Sequence, residues 1–229
     1  MIQGTKYWAV AKVNFRRGAF AAYLAAGICL LAGISDLLLD QILQTGDITI
    51  SPYNFVYLVT LLAPVLFASV SYTKFMHIGV KKKTYLYGCA LNYVVYAAIA
   101  SLLGVLETYL IDRPLSGPDQ IYGLVSVFGW DQNVLTAFFC PFAFLLFVEA
   151  VLHTLTFIQT KWYGWAADLL IVVILSVFTP IAPLRQAEVW FFNLIIFQKP
   201  AILQIGTCLL LSLLVYASNL FYLRRRGVN

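Results

Sequence analysis

Charge is what this sequence has least of. Of its 229 residues only 11% are Asp, Glu, Lys or Arg, and 62% are hydrophobic, whereas an ordinary soluble domain is about 25% charged and about 45–50% apolar. So small a polar share cannot clothe a core in water, and so large an apolar share is incompatible with disorder. Histidine is almost absent too: His77 and His153 are the 2 in the chain. They form no H-E-x-x-H pattern, no G-x-S-x-G occurs, and no carboxylates recur at a metal-binding spacing, so a hydrolase or acyltransferase reading has no compact polar cluster to start from. The 4 cysteines, Cys29, Cys89, Cys140 and Cys208, lie far apart without a CxxC spacing and read as small buried apolar residues. No G-x-x-x-x-G-K-[ST] phosphate loop is present; the nearest stretch, Gly79 to Thr84, lacks the second glycine and the spacing. This chain is expected to hydrolyse no ATP and to bind no cofactor of its own.

What remains is apolar and long. Apolar stretches cover about 19–39, 55–72, 85–106, 134–158, 165–182 and 201–223, each able, or nearly able, to cross about 30 Å of hydrocarbon as a helix rising 1.5 Å per residue. They are continuous, unlike the alternating strands of a membrane barrel. The expectation is an all-α membrane protein with six transmembrane helices in a single domain over residues 1–229.

The scarce charge is sorted by sign. Lys6, Lys12, Arg16, Arg17, Lys74, Lys81, Lys82, Lys83, Lys161, Arg224, Arg225 and Arg226 fall in one alternate set of connections, leaving Arg113, Arg185 and Lys199 of the 15 basic residues for the other. Asp40, Asp47, Asp112, Asp119, Asp131 and Glu188 accompany those three. The positive-inside bias then puts both ends of the chain in the cytoplasm, in agreement with an even number of spans. The net charge of +5 thus belongs to topology, and nucleic acid is not an expected partner. The first span is too long for a signal-peptide core, so no cleavable leader is expected.

Residues 1–18 mix Tyr7, Trp8, Val10, Val13 and Phe15 with Lys6, Lys12, Arg16 and Arg17, as an amphipathic elbow helix lying in the inner interface would; a basic leader without structure is the alternative. Inside the first span Gly18, Ala22 and Ala26, and likewise Ala25, Cys29 and Gly33, repeat every four residues, a spacing that lets helices approach closely. In the fourth span Glu149 and His153 are four apart on one face. An ionisable residue at membrane depth carries a functional hypothesis: Glu149 reads either as part of a substrate or proton path, or as a structural group bonded to His153, Asn92, Tyr93 or Tyr96. Asp168 lies near the inner end of its span, within reach of water or Lys161, and Asp36 and Glu107 lie near outer ends, where an entry or exit vestibule could use them but solvation is the default. Pro180 and Pro183 precede an apolar, aromatic stretch over 184–198 that includes Trp190, Phe191 and Phe192, read as an outer re-entrant or interfacial helix or as a plain aromatic loop.

The most specific local pattern is the connection over about 73–84. Phe75, Met76 and Ile78 form a short amphipathic piece broken at Gly79, three lysines follow, and Thr84 is placed to cap a helix beginning with Tyr85. Lysines in an inner loop also serve topology alone.

The run from Phe75 to Gly88 resembles the segment after the second span of ABC-2 type permeases, the membrane subunits of many bacterial ATP-binding cassette exporters. There a phrase of the form Gly-hydrophobic-Ser/Thr-Arg/Lys-Lys-x-aromatic-aromatic belongs to the coupling helix that touches the ATPase. Gly79, Val80, Lys82, Lys83, Tyr85 and Leu86 match it, and Lys81 stands where Ser or Thr is commoner. The resemblance implies a type V exporter-like architecture: an interfacial elbow, six spans, a cytoplasmic coupling helix and an outer gate. It implies coupling by Phe75, Met76, Gly79, Val80, Lys81, Lys82, Lys83, Thr84 and Tyr85 and a gate at Trp190, Phe191 and Phe192; the polar residues at membrane depth, Asn92, Tyr96, Glu149 and His153, stand beside it as a substrate path or buried polar group. It further implies a separate ATPase subunit holding ATP and Mg, a second permease subunit as homodimer or paralogous heterodimer, surrounding membrane lipid, and a place in the bacterial cytoplasmic membrane. The weakly charged, aromatic spans suit an amphipathic or apolar cargo such as a peptide toxin, antimicrobial peptide, lipid or drug. The alternative is a non-transporting immunity or assembly protein that binds a peptide or partner in the bilayer.

Overall fold

The computed structural model describes residues 3–43, 49–50, 52–112, 121–122, 125, 128 and 133–225, with side chains over 6–32, 34–35, 54–110, 125, 128 and 133–222. The first helix, α1 (Gln3–Leu43), is 41 residues long, a rise of about 62 Å. A 3₁₀ turn (Pro52–Tyr57), α2 (Leu58–Leu66), a π-helical turn (Phe67–Ser71) and α3 (Tyr72–His77) follow as one irregular rod. Then come α4 (Lys82–Glu107), α5 (Val134–Ile158), α6 (Trp162–Phe178), α7 (Ala182–Phe192) and α8 (Ala201–Arg225). Two strands of two residues each, β1 (Thr49–Ile50) and β2 (Ile121–Tyr122), pair in parallel between the α1–α2 and α4–α5 connections.

Among the described residues five stretches are long and apolar enough to cross a membrane: Lys6–Ala32, Asn54–His77, Lys82–Leu110, Val134–Ile158 and Ala201–Tyr222. The sixth is broken. Trp162–Phe178 and Ala182–Phe197 meet at 117°, because Pro180 cannot continue the helix and Pro183 sits in the first turn of α7, where its missing N–H costs nothing. The expected span over 165–182 therefore starts earlier and stops short, and the expected segment over 184–198 is α7 with its π-helical end (Asn193–Phe197).

Interhelical contacts give the direction of each pass. Tyr7 meets Tyr87 and Phe15 meets Tyr96, so α1 and α4 run parallel. Tyr93 meets His153 and Ser101 bonds Phe138, so α4 and α5 are antiparallel. Ser212 bonds Leu146 and Asn219 bonds Thr154, so α5 and α8 run together. The start of α1, the α3–α4 turn, the α5–α6 turn and the end of α8 consequently share one end of the bundle, and with them Lys6, Lys74, Lys81, Lys82, Lys83, Lys161 and the last turn of α8.

The separate elbow helix expected over residues 1–18 does not form; residues 3–18 are the first turns of α1. No proline or cap interrupts them, and the stripe Val10, Ala11, Asn14, Gly18, Ala21 and Ala25 is buried. Val10 sits where Gly88 leaves room, 2.6 Å from where a Cβ would be, and the Tyr96 hydroxyl fills the space beside Gly18. Of the small-residue repeats, Gly18 and Ala25 are buried while Ala22 and Ala26 face outward; Gly33 lies outside the residues described with side chains. The amphipathic face is spent on α4.

Candidate functional site

A tight helical hairpin closes the basic end. At its centre Gly79 has a φ of +77°, a conformation open to glycine at little cost. The Gly79 amide donates to the Met76 carbonyl and the Val80 amide to that of Phe75, both at 3.0 Å, the paired bonds of a Schellman ending. Val80 folds back on the cluster that holds Phe75, as that ending favours. The expected break at Gly79 is thus present; of the expected coupling segment, residues 73–77 belong to α3, which continues the second span, and a short turn leads directly into α4. Thr84 is not the cap. The helix begins at Lys82 with Lys81 in the N-cap position and no side-chain cap bond, so the three lysines occupy the first turn.

Aromatic packing stiffens this hairpin. The Tyr85 hydroxyl donates to the Phe67 carbonyl in the π-helical turn. Tyr72 packs edge-on against Tyr85 at 5.5 Å and against Phe157 at 5.2 Å, and Phe75 lies 5.5 Å from Tyr85. The Arg17 guanidinium sits 5.4 Å over the Phe75 ring, a cation–π contact that ties α1 to α3. Of the expected coupling residues, Phe75 and Tyr85 are buried anchors, Met76, Val80, Lys82 and Thr84 are half-buried, and Gly79, Lys81 and Lys83 face outward. The residue at the tip is Ile78, 74% exposed; its apolar neighbours Phe75 and Met76 make it look like part of a buried face in the sequence.

A second cluster lies in the bundle interior. His153 and Glu149 are fully buried, but the hydrogen bond to His153 that one reading of Glu149 allowed is absent. Instead His153 Nδ1 shares a 2.6 Å hydrogen bond with the Tyr93 hydroxyl, and its ring stacks on Phe157 at 5.6 Å and lies 5.3 Å from Tyr216. Tyr216 donates to the Leu86 carbonyl at 2.7 Å, so α4, α5 and α8 meet here. Both Glu149 oxygens lack a hydrogen-bond partner among the described residues, an arrangement that costs several kcal/mol for an ionised group. Asn92 is buried with its Nδ2 likewise unbonded. It shares a face with Gly88 and Tyr96 and so looks toward α1, where the Asn14 Oδ1 is also unbonded. Tyr96 stacks on Phe15 at 5.6 Å. The four expected polar residues therefore divide between two interfaces, Glu149 and His153 on α5, Asn92 and Tyr96 against α1. Tyr93 and Tyr216 complete the first; nothing local in the sequence pairs residues 60 and more positions apart.

At the opposite end Trp190, Phe191 and Phe192 are exposed on α7, which Thr179 ties to α6 through a 3.2 Å bond to Glu188. Gln204 donates to the Ile195 carbonyl at 2.9 Å and fixes the π-helical end of α7 on α8. Glu107, expected at a solvated end, is instead buried and lines an apolar groove of about 520 Å³ with Cys29, Tyr57 and Leu103. Asp168 accepts from Gln159 at 3.0 Å; Asp36 lies outside the described side chains. Among the described residues no group of three or more His, Cys, Asp or Glu is placed to hold a metal, and the described cysteines are unbridged, with Cys89, Cys140 and Cys208 buried. Comparison with protein-family models, curated proteins and solved structures finds no match to this chain.

Proposed function

We propose that the chain is the membrane subunit of an ATP-driven exporter in a bacterial cytoplasmic membrane, of the kind that ABC-2 type permeases represent, and that a separate ATPase pushes on the tip at Ile78. The observation that carries this reading is the stiff, outward-pointing hairpin at the basic end of a multi-pass bundle. Each aromatic pair within it adds about 0.5–1.5 kcal/mol beyond area burial, so displacement of Ile78 is passed on rather than absorbed. Tyr85 hands it to the π-helical turn of the second span, and α4 hands it through Tyr93 to His153 on α5 and through Leu86 to Tyr216 on α8. That is the linkage a switch between discrete helix packings requires. Glu149 then sits beside the moving joint, where a cargo with an apolar body and a hydrogen-bond donor would find a buried carboxylate whose oxygens have no hydrogen-bond partner among the described residues. A second permease subunit, identical or paralogous, completes the path.

The test is copurification of the tagged full-length chain with a phosphate-loop ATPase from its native membrane. An exposed apolar anchor at an interface is worth about 2 kcal/mol or more, so Ile78→Glu is expected to lower ATPase recovery at least roughly tenfold. Recovery that is unchanged in this variant removes the proposed docking point.

The second reading, a non-transporting protein that holds a peptide or partner in the bilayer, is favoured by a different observation. Two large apolar grooves lie between helices, one walled by α4, α5 and α8 and the other by α1, the 3₁₀ turn and α4. Activity of the purified chain toward its partner with no ATPase present would favour it.

A further inference from the structure

Two features of the basic end are each unfavourable by themselves. Lys81, the N-cap residue of α4, makes no side-chain cap bond, and three lysines crowd the same positive end of the helix dipole. They border a cleft of about 320 Å³ lined by Lys6, Tyr7, Lys81, Lys82, Lys83 and Thr84. Among the described carboxylates only Asp168 belongs to this end of the bundle, and Gln159 bonds it there. An anion in the cleft offsets both features at once.

The cleft does not stand alone. On α4, Lys83, Tyr87, Ala90 and Val94 follow one another at helical spacing on one face, and the last three line an apolar groove of about 550 Å³ walled on its far side by α8 from Leu209 to Leu220. Tyr7 of the cleft packs edge-on against Tyr87 of the groove at 5.6 Å, so the two share a wall. From Lys83 to Val94 the helix rises about 16 Å, close to the ~15 Å depth of one hydrocarbon leaflet. A cationic mouth leading into an apolar channel one leaflet deep has the shape and charge of one kind of molecule.

The geometry points to a single binding site for an anionic phospholipid, its phosphate between Lys6 and Lys83 and an acyl chain along α4 and α8. The cleft supplies the charge preference and the groove supplies most of the contact area, so a zwitterionic lipid of the same chains fits the groove but not the mouth. The site stands independently of the proposed ATPase partner, because the isolated chain is enough to show it.

The test uses the full-length chain in detergent, titrated with phosphatidylglycerol or phosphatidylcholine of identical acyl chains, with retained lipid counted by native mass spectrometry. Phosphatidylglycerol is expected to be retained at least fivefold over phosphatidylcholine. The double variant Lys6→Gln, Lys83→Gln is expected to erase that preference while phosphatidylcholine retention stays as it was. Leu213→Trp, at a groove position 67% exposed and so tolerant of the larger side chain, is expected to lower retention of both lipids. Unreactive Cys89, Cys140 and Cys208 certify the fold of each variant, since all three are buried. Equal retention of the two lipids by the unaltered chain overturns the site, as does a preference that survives the double variant or lipid retention that Leu213→Trp leaves unchanged. Complete displacement of phosphatidylglycerol by an equal concentration of hexaglutamate also overturns it, assigning the cleft to an acidic protein segment instead.

Discussion

Gly79→Ala isolates the backbone geometry of the hairpin from every packing effect. A Cβ built on Gly79 meets nothing within 4 Å, and the same is true at Gly206 in α8, yet only Gly79 has a positive φ, of +77°. The two substitutions therefore add the same atom to the same empty surroundings and differ in conformation alone. At Gly79 the left-handed backbone costs about 1–2 kcal/mol with a Cβ, partly offset by about 0.4–1 kcal/mol from the stiffer unfolded chain, a net loss of about 1 kcal/mol. At Gly206 the helical backbone suits alanine and the change gains about 0.5–1 kcal/mol. For a chain of this size about 1 kcal/mol moves the midpoint by roughly 2–4 °C, so Gly79→Ala lowers it and Gly206→Ala raises it. Gly79→Asn, tolerated in the left-handed region, falls between Gly79→Ala and the unaltered chain. A thiol-reactive dye reporting exposure of Cys89, Cys140 and Cys208 on heating reads all of these without an added label. Stabilisation by Gly79→Ala equal to that by Gly206→Ala would refute the Schellman ending and with it the hairpin.

Gly88→Ala tests the seam that absorbs the N-terminal segment: its Cβ would lie 2.8 Å from Val10 Cβ and 3.3 Å from the Tyr7 carbonyl, an overpacking expected to cost about 1–3 kcal/mol in the same thermal assay, whereas no loss would mean that α1 is not seated on α4. Tyr93→Phe removes the 2.6 Å bond to His153 and is expected to cost about 1–3 kcal/mol, because a buried partner is left behind; an unchanged midpoint counts against the α4–α5 joint. Glu149→Gln keeps shape and removes a carboxylate whose oxygens have no partner among the described residues, so stability is expected to hold or rise, and a clear drop would reveal a bond the structure does not contain.

Where an element is specified by its own residues, the sequence was enough to find it. Residues 134–158 read as a span and form α5 with those bounds, started by Asn133, whose side chain accepts the Leu135 amide at 3.2 Å. The Gly79 reversal was legible for the same reason, since a glycine between an apolar turn and a polar run is a local signal. What depended on a distant partner was not legible. The mixed aromatic and basic pattern of residues 1–18 suits a membrane surface as well as a helix seam, and only Gly88, far along the chain, decides for the seam. Glu149 and His153 satisfy the i, i+4 rule, but Tyr93 on another helix binds the histidine first. The fifth span illustrates both cases: Pro180 and Pro183 announced the break, while the Gln204 bond that holds Ile195 on α8 has no local signal.

The most direct measurement is a crosslink from the hairpin tip. With Ile78→Cys in native membranes, a bifunctional thiol reagent is predicted to join this 25.6 kDa chain to a phosphate-loop ATPase, while Trp190→Cys at the opposite end of the bundle gives no such product. Absence of an ATPase adduct from Ile78→Cys, or its appearance equally from Trp190→Cys, would contradict the account.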